Sequence, residues 1–197
     1  MLQSTMQDFP LSIGMLFRHG RTVFGSDSEV VTFEGETSRR ASYAAVAARA
    51  DRLAVALQGL GIEPDDRVGT LMWNTQEHLE AYFAIPCIGA VLHTLNIRLF
   101  PEQLTYIVNH AAERLVIVDD NLVGVVVRVA AELKTVERYM VVGDGDASPL
   151  VEAAPGADVL RYEELLAASD PTDFEYPEVD ERAAAAMCYT SGTTGNP

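Results

Sequence analysis

The sequence predicts an α/β fold in which a mostly parallel sheet is covered by helices on both faces. Two apolar segments, Arg114–Asp119 and Arg138–Val142, are continuous rather than alternating, which is typical of strands buried on both faces. A helical segment, Leu122–Leu133, separates them, and strands that alternate with helices indicate parallel pairing. The alternating segment Glu29–Glu34, followed by Gly35-Glu36-Thr37, instead predicts a small N-terminal β-hairpin.

Caps, apolar periodicity and proline positions predict the other elements. In chain order these are a helix from Tyr43 to about Leu60 capped by Ser42, a strand over Arg67–Trp73, an enclosed helix over Glu77–Ala90 disturbed at Pro86, a short strand over Val91–Leu95, a helix from Pro101 through Ala111 and a small apolar strand over Ala183–Tyr189. Two segments rich in Gly and Pro or in acidic residues, Gly143–Asp158 and Ser169–Glu181, are predicted to be surface linkers.

Composition restricts the classes of partner. The 197 residues include 29 acidic and 14 basic side chains, giving a formal net charge of −15. Such a surface repels phosphate backbones, so we expect no extended nucleic-acid interface. A local anion site remains possible, because a few backbone N–H groups can outweigh a distant field. Lys134 is the only lysine, so phosphate chemistry that depends on lysine has almost none to use.

The chain carries no sign of export or of a membrane anchor. There is no basic segment near Met1 and no alanine-type cleavage site, and no apolar run approaches the roughly 18–20 residues that cross a bilayer. Cys87 and Cys188 alone make neither a disulfide framework nor a structural zinc site. We therefore expect a cytoplasmic protein without a transmembrane segment.

A loop of hydroxyls and glycines carries the chemistry. It follows the predicted strand Ala183–Tyr189 and reads Thr190-Ser191-Gly192-Thr193-Thr194-Gly195-Asn196-Pro197. Gly192 and Gly195 allow the backbone to approach a ligand closely, so that successive N–H groups can point at one anion. This combination suits a polyphosphate that must be held without heavy positive charge.

Two common phosphate-binding motifs are absent, and the alternative interpretation is a turn or linker that binds no ligand. The sequence has neither GxxxxGK[ST] nor a GxGxxG after a strand, which excludes a Walker loop and the dinucleotide fingerprint. From composition alone, a flexible Ser/Thr/Gly turn or linker is the favoured interpretation of the segment.

The order of the residues adds a resemblance. Tyr189 through Pro197 resembles the phosphate-loop signature of the adenylate-forming superfamily, which contains acyl-CoA synthetases, luciferases and peptide-synthetase adenylation domains. Gly61 to Val68 (GIEPDDRV) is similar to that family's approach to its first core strand. Gly89 to Leu104 (GAVLHTLNIRLFPEQL) looks like the branch of medium- and long-chain fatty-acyl-CoA ligases. The resemblance covers the chain from about Asp8 to Pro197 and implies the N-terminal part of the large synthetase domain.

The resemblance implies a two-step reaction of a fatty acid with ATP, Mg²⁺ and coenzyme A. A carboxylate attacks the α-phosphorus and releases pyrophosphate, and the thiol of coenzyme A then displaces AMP. Carried over by position, Ser191, Gly192, Thr193, Thr194 and Gly195 would contact the phosphates of ATP. Thr190 would bind ATP as well and help to place the metal.

The resemblance also implies parts that lie beyond Pro197. The family signature continues with Lys-Gly, and later segments supply adenine binding, the hinge and a C-terminal domain with the catalytic lysine. We therefore expect residues 1–197 to form a partial N-terminal AMP-binding domain that contains no catalytic residue and is inactive alone.

Other residues receive structural interpretations. His93 and Asn96 are expected to tie a loop to its neighbours, Trp73 to pack at the end of a core strand, and Cys188 to be a small buried hydrophobe. Three histidines (His19, His78 and His110) show no metal-ligand spacing, and Glu77 and Glu80 beside His78 are expected on a solvated helix face.

Alternatives stay open. An aryl-acid or amino-acid adenylating enzyme of the same superfamily is the enzymatic one, and a non-catalytic truncated interaction module is the other. The apolar segment Leu11–Phe17 is expected to pack on the body of the protein or on a second copy, so a homodimer through the N-terminal region is possible.

Overall fold

The computed structural model describes residue 5 and residues 9–190. In chain order the elements are α1 (Ile13–Phe24), β1 (Glu29–Glu34), β2 (Thr37–Ser42), α2 (Tyr43–Gly59), β3 (Arg67–Leu71), α3 (Gln76–Cys87), β4 (Val91–Thr94), α4 (Pro101–Ala111), β5 (Glu113–Asp119), α5 (Val123–Val127), β6 (Arg138–Val142), α6 (Ser148–Ala153), β7 (Asp158–Arg161), α7 (Tyr162–Ala168) and β8 (Ala186–Met187). Short 3₁₀ turns flank α5.

The six strands β3 to β8 form one parallel sheet in the order β7-β6-β5-β3-β4-β8. The strands β1 and β2 pair separately as an antiparallel hairpin, with Gly35 in the turn at φ +65°. The predicted fold class, a helix-covered parallel sheet with a small N-terminal hairpin, is therefore confirmed.

The direction of winding reverses at β3. The chain passes from β3 to β4 on one side and then returns to place β5 on the other side of β3. The two crossover helices lie on opposite faces: α3 packs with Leu115 and Ile117 of β5, whereas α4 packs with Val116 and Val118. This alternation explains why β5 is apolar at every position from Leu115 to Val118.

The N-terminal segment packs on the first of these faces. Ser12 caps α1, its Oγ accepting from the backbone N–H of Met15 at 3.2 Å. Phe17 is buried and stacks on Phe83 of α3, with ring centroids 4.8 Å apart. The expectation that Leu11–Phe17 packs on the body is thus met by Phe17, although the helix itself was not predicted. A homodimer through this region stays a prediction.

Several predicted boundaries are wrong. The supposed linker Gly143–Asp158 contains α6, and Asp158 already begins β7. The expected helix Leu122–Leu133 is interrupted, because α5 covers only Val123–Val127 and is followed by a 3₁₀ turn. The run of β-branched valines in this segment lowers helix propensity, which agrees with the short helix. In contrast, Ser169–Glu181 holds no helix or strand, as predicted. It is not a purely solvated connection, however, because Phe174 and Tyr176 pack against the core.

A buried carboxylate joins three helices. Glu80 on α3 is fully buried, and its Oε1 accepts from Arg49 Nε of α2 at 2.7 Å and from Gln76 Nε2 at 2.8 Å. Its Oε2 accepts from the hydroxyl of Tyr162 on α7 at 2.6 Å. Burial raises the pKa of the Glu80 carboxyl, and Arg49 and Tyr162 oppose that rise.

The predicted solvated face of α3 is therefore wrong. Glu77, His78 and Glu80 are all buried, because the hairpin and α2 lie over this side of the helix. Arg39 of β2 donates to Glu77 at 2.9 Å. His78 lies 3.0 Å from both the carbonyl oxygen of Trp73 and the hydroxyl of Thr70.

A second buried pair spans the central strand. Glu113 of β5 reaches His93 of β4 across β3, and both side chains are fully buried. Gly69 of β3 makes the crossing possible, because a Cβ at this position would lie 2.0 Å from Glu113 Oε2. Burial raises the pKa of the Glu113 carboxyl, and the His93 hydrogen bond opposes that rise. The expected hydrogen bond of His93 to a neighbouring element is thus present, but His93 lies on β4 and not in a loop as predicted.

The Arg49→Met substitution is expected to lower the free energy of unfolding by about 3 kcal/mol at pH 7, because it leaves the Glu80 charge buried without its cation. Without Arg49, the pKa of Glu80 in the folded state rises further above its unfolded value. The folded state then binds more protons than the unfolded state, so stability falls as pH rises above roughly 4.5. Urea unfolding measured between about pH 4 and pH 8 checks both the loss and its sign.

Arg40→Met is the matched control. Arg40 pairs with Glu29 at the surface, where both side chains are more than half exposed. Its removal is expected to change the free energy of unfolding by no more than about 0.5 kcal/mol. Equal losses in the two variants would contradict the assignment of Arg49 to a buried network.

Gly69→Ala is expected to destabilise the fold by at least about 3 kcal/mol, because the new Cβ forces Glu113 away from His93 and breaks a buried pair. Gly124→Ala is the matched control, since Gly124 is exposed on α5 and a Cβ there would meet no atom within 4 Å. That control should be neutral or stabilising by up to about 1 kcal/mol. Urea midpoints that move equally in both variants would refute the crossing.

Candidate functional site

The carboxyl ends of β3 and β5 meet at the point where the winding reverses. In open α/β sheets, ligands bind in the crevice at such a point. Here the backbone N–H of Trp73 donates to Asp119 Oδ2 at 2.6 Å, and the Trp73 indole donates to Asn121 Oδ1 at 3.0 Å. Burial raises the pKa of Asp119 to about 6, with Glu77 and Asp120 adding to the rise and the Trp73 N–H opposing it.

The prediction that Trp73 packs at the end of a core strand is wrong. The strand ends at Leu71, and the indole is 46% exposed rather than packed at the end of a core strand. Its one polar atom is nevertheless fixed by Asn121, so the exposed ring is held in a defined position at the sheet edge.

The predicted phosphate loop begins at the same edge. Because β8 pairs with β4 in parallel, the chain leaves β8 where the other parallel strands also end. Tyr189 and Thr190 follow at this end, and Thr190 is exposed. Of the predicted ATP contacts, Ser191, Gly192, Thr193, Thr194 and Gly195 lie outside the described residues. Their role in binding ATP stays a prediction.

The predicted strand before this loop is shorter than expected. Only Ala186–Met187 pairs with β4, in place of the predicted Ala183–Tyr189. Cys188 is exposed, so its expected place as a small buried hydrophobe is also wrong. A strand at the edge of the described sheet has only one neighbour to bury it, and this accounts for both differences.

Aromatic side chains hold Tyr189 from two directions. Its ring lies over the ring of His93, with centroids 5.1 Å apart and an interplanar angle of 34°. Its hydroxyl lies 2.5 Å from Nδ1 of His110, near the end of α4. His110 in turn stacks on Tyr106, with centroids 5.4 Å apart. The residue before the predicted loop is therefore fixed by side chains of β4 and α4.

Sequence reasoning missed part of this arrangement. It found His93 but not its partner Glu113, and it assigned no contact to His110 or Tyr106. The spacing of Tyr106 and His110, four residues apart on a predicted helix, is a signal that the two rings share a face. No comparable signal joins Glu113 to His93, because their contact depends on strand order.

The described residues include no group of three or more His, Cys, Asp or Glu side chains that could hold a metal ion. A magnesium ion carried by ATP needs no such group, because Mg²⁺ keeps several waters and uses few protein ligands beside the phosphates. The role of Thr190 in placing such an ion stays a prediction.

Within the described part of the chain, none of the helices has the length and apolar character that a membrane crossing requires.

Comparison with known proteins assigns a family to this arrangement. Residues 18–197 match the family model described as AMP-binding enzyme. The chain is 42% identical over 193 residues to a 3-methylmercaptopropionyl-CoA ligase of Ruegeria lacuscaerulensis, covering 98% of this chain and 35% of that protein. It is 42% identical to a long-chain-fatty-acid–CoA ligase of Thermus thermophilus (98% and 34% covered) and 39% identical to a medium-chain-fatty-acid–CoA ligase of Ectopseudomonas oleovorans (95% and 34%).

The fold agrees with solved structures. The anthranilate CoA ligase AuaEII, solved with anthranoyl-AMP, superposes with a TM-score of 0.82 at 21% identity, covering all of this chain and 35% of that one. The chain thus spans about a third of the length of the proteins it matches. The family model over nearly the whole chain, together with the helix-covered parallel sheet, establishes that this chain belongs to the AMP-binding enzymes of the adenylate-forming superfamily.

Proposed function

We propose that this chain is the first third of an acyl-CoA ligase that activates an unbranched apolar carboxylic acid, a fatty acid, with ATP. The observation that carries the proposal is the loop from Thr190 to Gly195, which follows β8 at the carboxyl edge of the sheet in a chain about 40% identical to acyl-CoA ligases. The remaining parts of the active site, including the C-terminal domain, would lie in the other two thirds of the protein.

The proposed reaction has two steps. A carboxylate oxygen attacks the α-phosphorus of ATP, the bond to the bridging oxygen breaks and pyrophosphate leaves, giving an acyl-adenylate. The thiol sulfur of coenzyme A, having lost its proton, then attacks the acyl carbonyl and AMP leaves with the original carboxylate oxygen. Both steps bring an anion toward another anion, so charge on the phosphates must be localised and neutralised.

The residues of this chain have a defined part in the first step. With a formal net charge of −15, these 197 residues attract ATP poorly at a distance, so local donors must hold the phosphates. We assign this to Ser191, Gly192, Thr193, Thr194 and Gly195, whose hydroxyls and backbone N–H groups can converge on one anion. Mg²⁺, when bound with ATP, would neutralise further phosphate charge, and Thr190 would help to place it through its hydroxyl or a bound water.

The relatives of this chain act on two kinds of acid by name. Two relatives at 42% and 40% identity are 3-methylmercaptopropionyl-CoA ligases, whereas others at 39% and 42% act on medium- and long-chain fatty acids by name. A thioether is an apolar, unbranched and flexible group, so 3-methylmercaptopropionate resembles a short fatty acid in shape. One apolar pocket can therefore suit both, and 3-methylmercaptopropionate is the second candidate substrate.

Acid-dependent exchange of labelled pyrophosphate into ATP by the full-length gene product tests the activation step. We expect exchange with medium- or long-chain fatty acids or with 3-methylmercaptopropionate, and thioester formation once coenzyme A is added. Exchange with aryl acids or amino acids alone would contradict the proposed substrate class. The isolated 197-residue chain is expected to form no acyl-CoA, because two thirds of the relatives' length is missing from it.

Thr190→Ala in the full-length enzyme is expected to lower kcat/KM for ATP by about tenfold, because it removes a hydrogen bond to a charged ligand. The same exchange assay measures the effect at saturating acid. Thr22→Ala, on an exposed position of α1, is the matched control and should leave kcat/KM unchanged. An unaffected T190A enzyme would remove Thr190 from the site.

A further inference from the structure

The backbone holds the start of the predicted phosphate loop weakly. Strand β8 consists of two residues, and its described partners are Leu92 and His93 of β4. One further backbone bond, from Leu92 N–H to the carbonyl of Ala185, lies just before the strand. Thr190 is exposed, so among the described residues the contacts of Tyr189 are the last ones before the loop.

Those contacts come from two rings that are themselves fixed. His93 is fully buried on β4, and its Nδ1 is bonded to the carboxylate of Glu113. This hydrogen bond between Nδ1 and the carboxyl group of Glu113 sets the orientation of the His93 ring. Nε2 of His93 has no partner among the described residues, so the bond to Glu113 alone sets that orientation.

His110 contacts Tyr189 from the helix side. Its Nδ1 lies 2.5 Å from the Tyr189 hydroxyl, and its ring meets that of Tyr189 edge-on, with centroids 5.8 Å apart. Tyr106, one turn earlier on α4, stacks on His110 with an interplanar angle of 16°. The Tyr189 side chain is thus held at its face by a strand residue and at its hydroxyl by a helix residue.

We propose that His93 and His110 are positioning residues for ATP binding: they clamp Tyr189 and thereby fix where the loop Thr190–Gly195 leaves the sheet. The inference rests on the proposed function, because it requires that this loop binds ATP. Glu113 does not contact Tyr189 and acts indirectly, by orienting His93. The buried Glu113–His93 pair that crosses β3 at Gly69 would therefore also affect ATP binding.

The physical reason is the steep dependence of phosphate binding on geometry. Several N–H groups must converge on one anion, and displacement of the reacting groups by about 1 Å can cost roughly a hundredfold in rate. The contacts of Tyr189 with His93 and His110 are the last described contacts before the segment Thr190–Gly195, so they set the point from which that segment departs.

The test uses four substitutions in the full-length gene product. His93→Asn keeps a donor close to the position of Nδ1 for Glu113 but removes the ring beneath Tyr189. Tyr189→Phe keeps the ring and removes the hydroxyl contact with His110, and Tyr189→Leu removes both. The matched control is His78→Asn, another buried histidine, which bonds to Thr70 and Trp73 and has no contact with Tyr189.

Two measurements separate positioning from general damage. Pyrophosphate exchange gives KM for ATP, KM for the acid and kcat, and calorimetric titration gives Kd for Mg·ATP without turnover. A variant that only unfolds more readily lowers the concentration of active enzyme and therefore kcat, but leaves KM unchanged. A misplaced loop raises both KM and Kd for ATP, while KM for the acid stays near the wild-type value.

H93N and Y189L are expected to raise KM and Kd for ATP roughly three- to tenfold, the range that loss of one aromatic pair allows. Y189F should raise them by about threefold, and H78N should leave both at wild-type values. Unchanged ATP affinity in H93N and Y189L, or an equal rise in H78N, would overturn the inference while leaving the proposed function intact. A wild-type protein that neither binds Mg·ATP nor catalyses exchange would overturn both.

Discussion

Burying both faces of the parallel sheet is the constraint on which the rest of this structure depends. The central strand β3 is sandwiched between β5 and β4 within the sheet, and helices cover it above and below. Helices can cover both faces of the sheet only if the winding reverses once. Here that reversal places α3 on one face and α4 on the other. That reversal leaves the carboxyl ends of the strands uncovered, and the exposed loops there are free to serve binding.

The same constraint places acidic side chains in the interior. Glu80 is stabilised by the guanidinium of Arg49, Glu113 by the imidazole of His93, and Asp119 by the backbone N–H of Trp73. A guanidinium supplies a full charge, whereas a single N–H supplies only a partial one. Burial raises the pKa of Asp119 to about 6, and the N–H of Trp73 opposes that rise.

The fold class could be predicted from the sequence because apolar continuity and caps are local signals, although α1 and α6 were not predicted. Continuous strands such as Arg138–Val142 and caps such as Ser42 occur where they were expected. The failures share a cause: burial of Glu80 and exposure of Trp73 depend on which distant elements cover them. A helix with two glutamates looks solvated until a hairpin and α2 are placed over it.

One part of the candidate site could also be predicted from the sequence, and another part could not. The loop after Tyr189 was recognisable from residue order, because hydroxyls and glycines at this spacing carry a chemical meaning by themselves. The contacts that hold Tyr189 could not be recognised in this way, because His93 and His110 are far from Tyr189 in the sequence and are also separated from each other. Their convergence requires β4, α4 and β8 to be adjacent, and this follows from the topology alone.

We propose that the chain belongs to an enzyme in which a carboxylate attacks the α-phosphorus of ATP. The most direct measurement follows oxygen-18 from a labelled fatty acid, or from labelled 3-methylmercaptopropionate, through one turnover of the full-length enzyme with ATP and coenzyme A. Attack at the α-phosphorus predicts that mass spectrometry finds one labelled oxygen in AMP and none in pyrophosphate. Label in orthophosphate, or AMP without label, would contradict it.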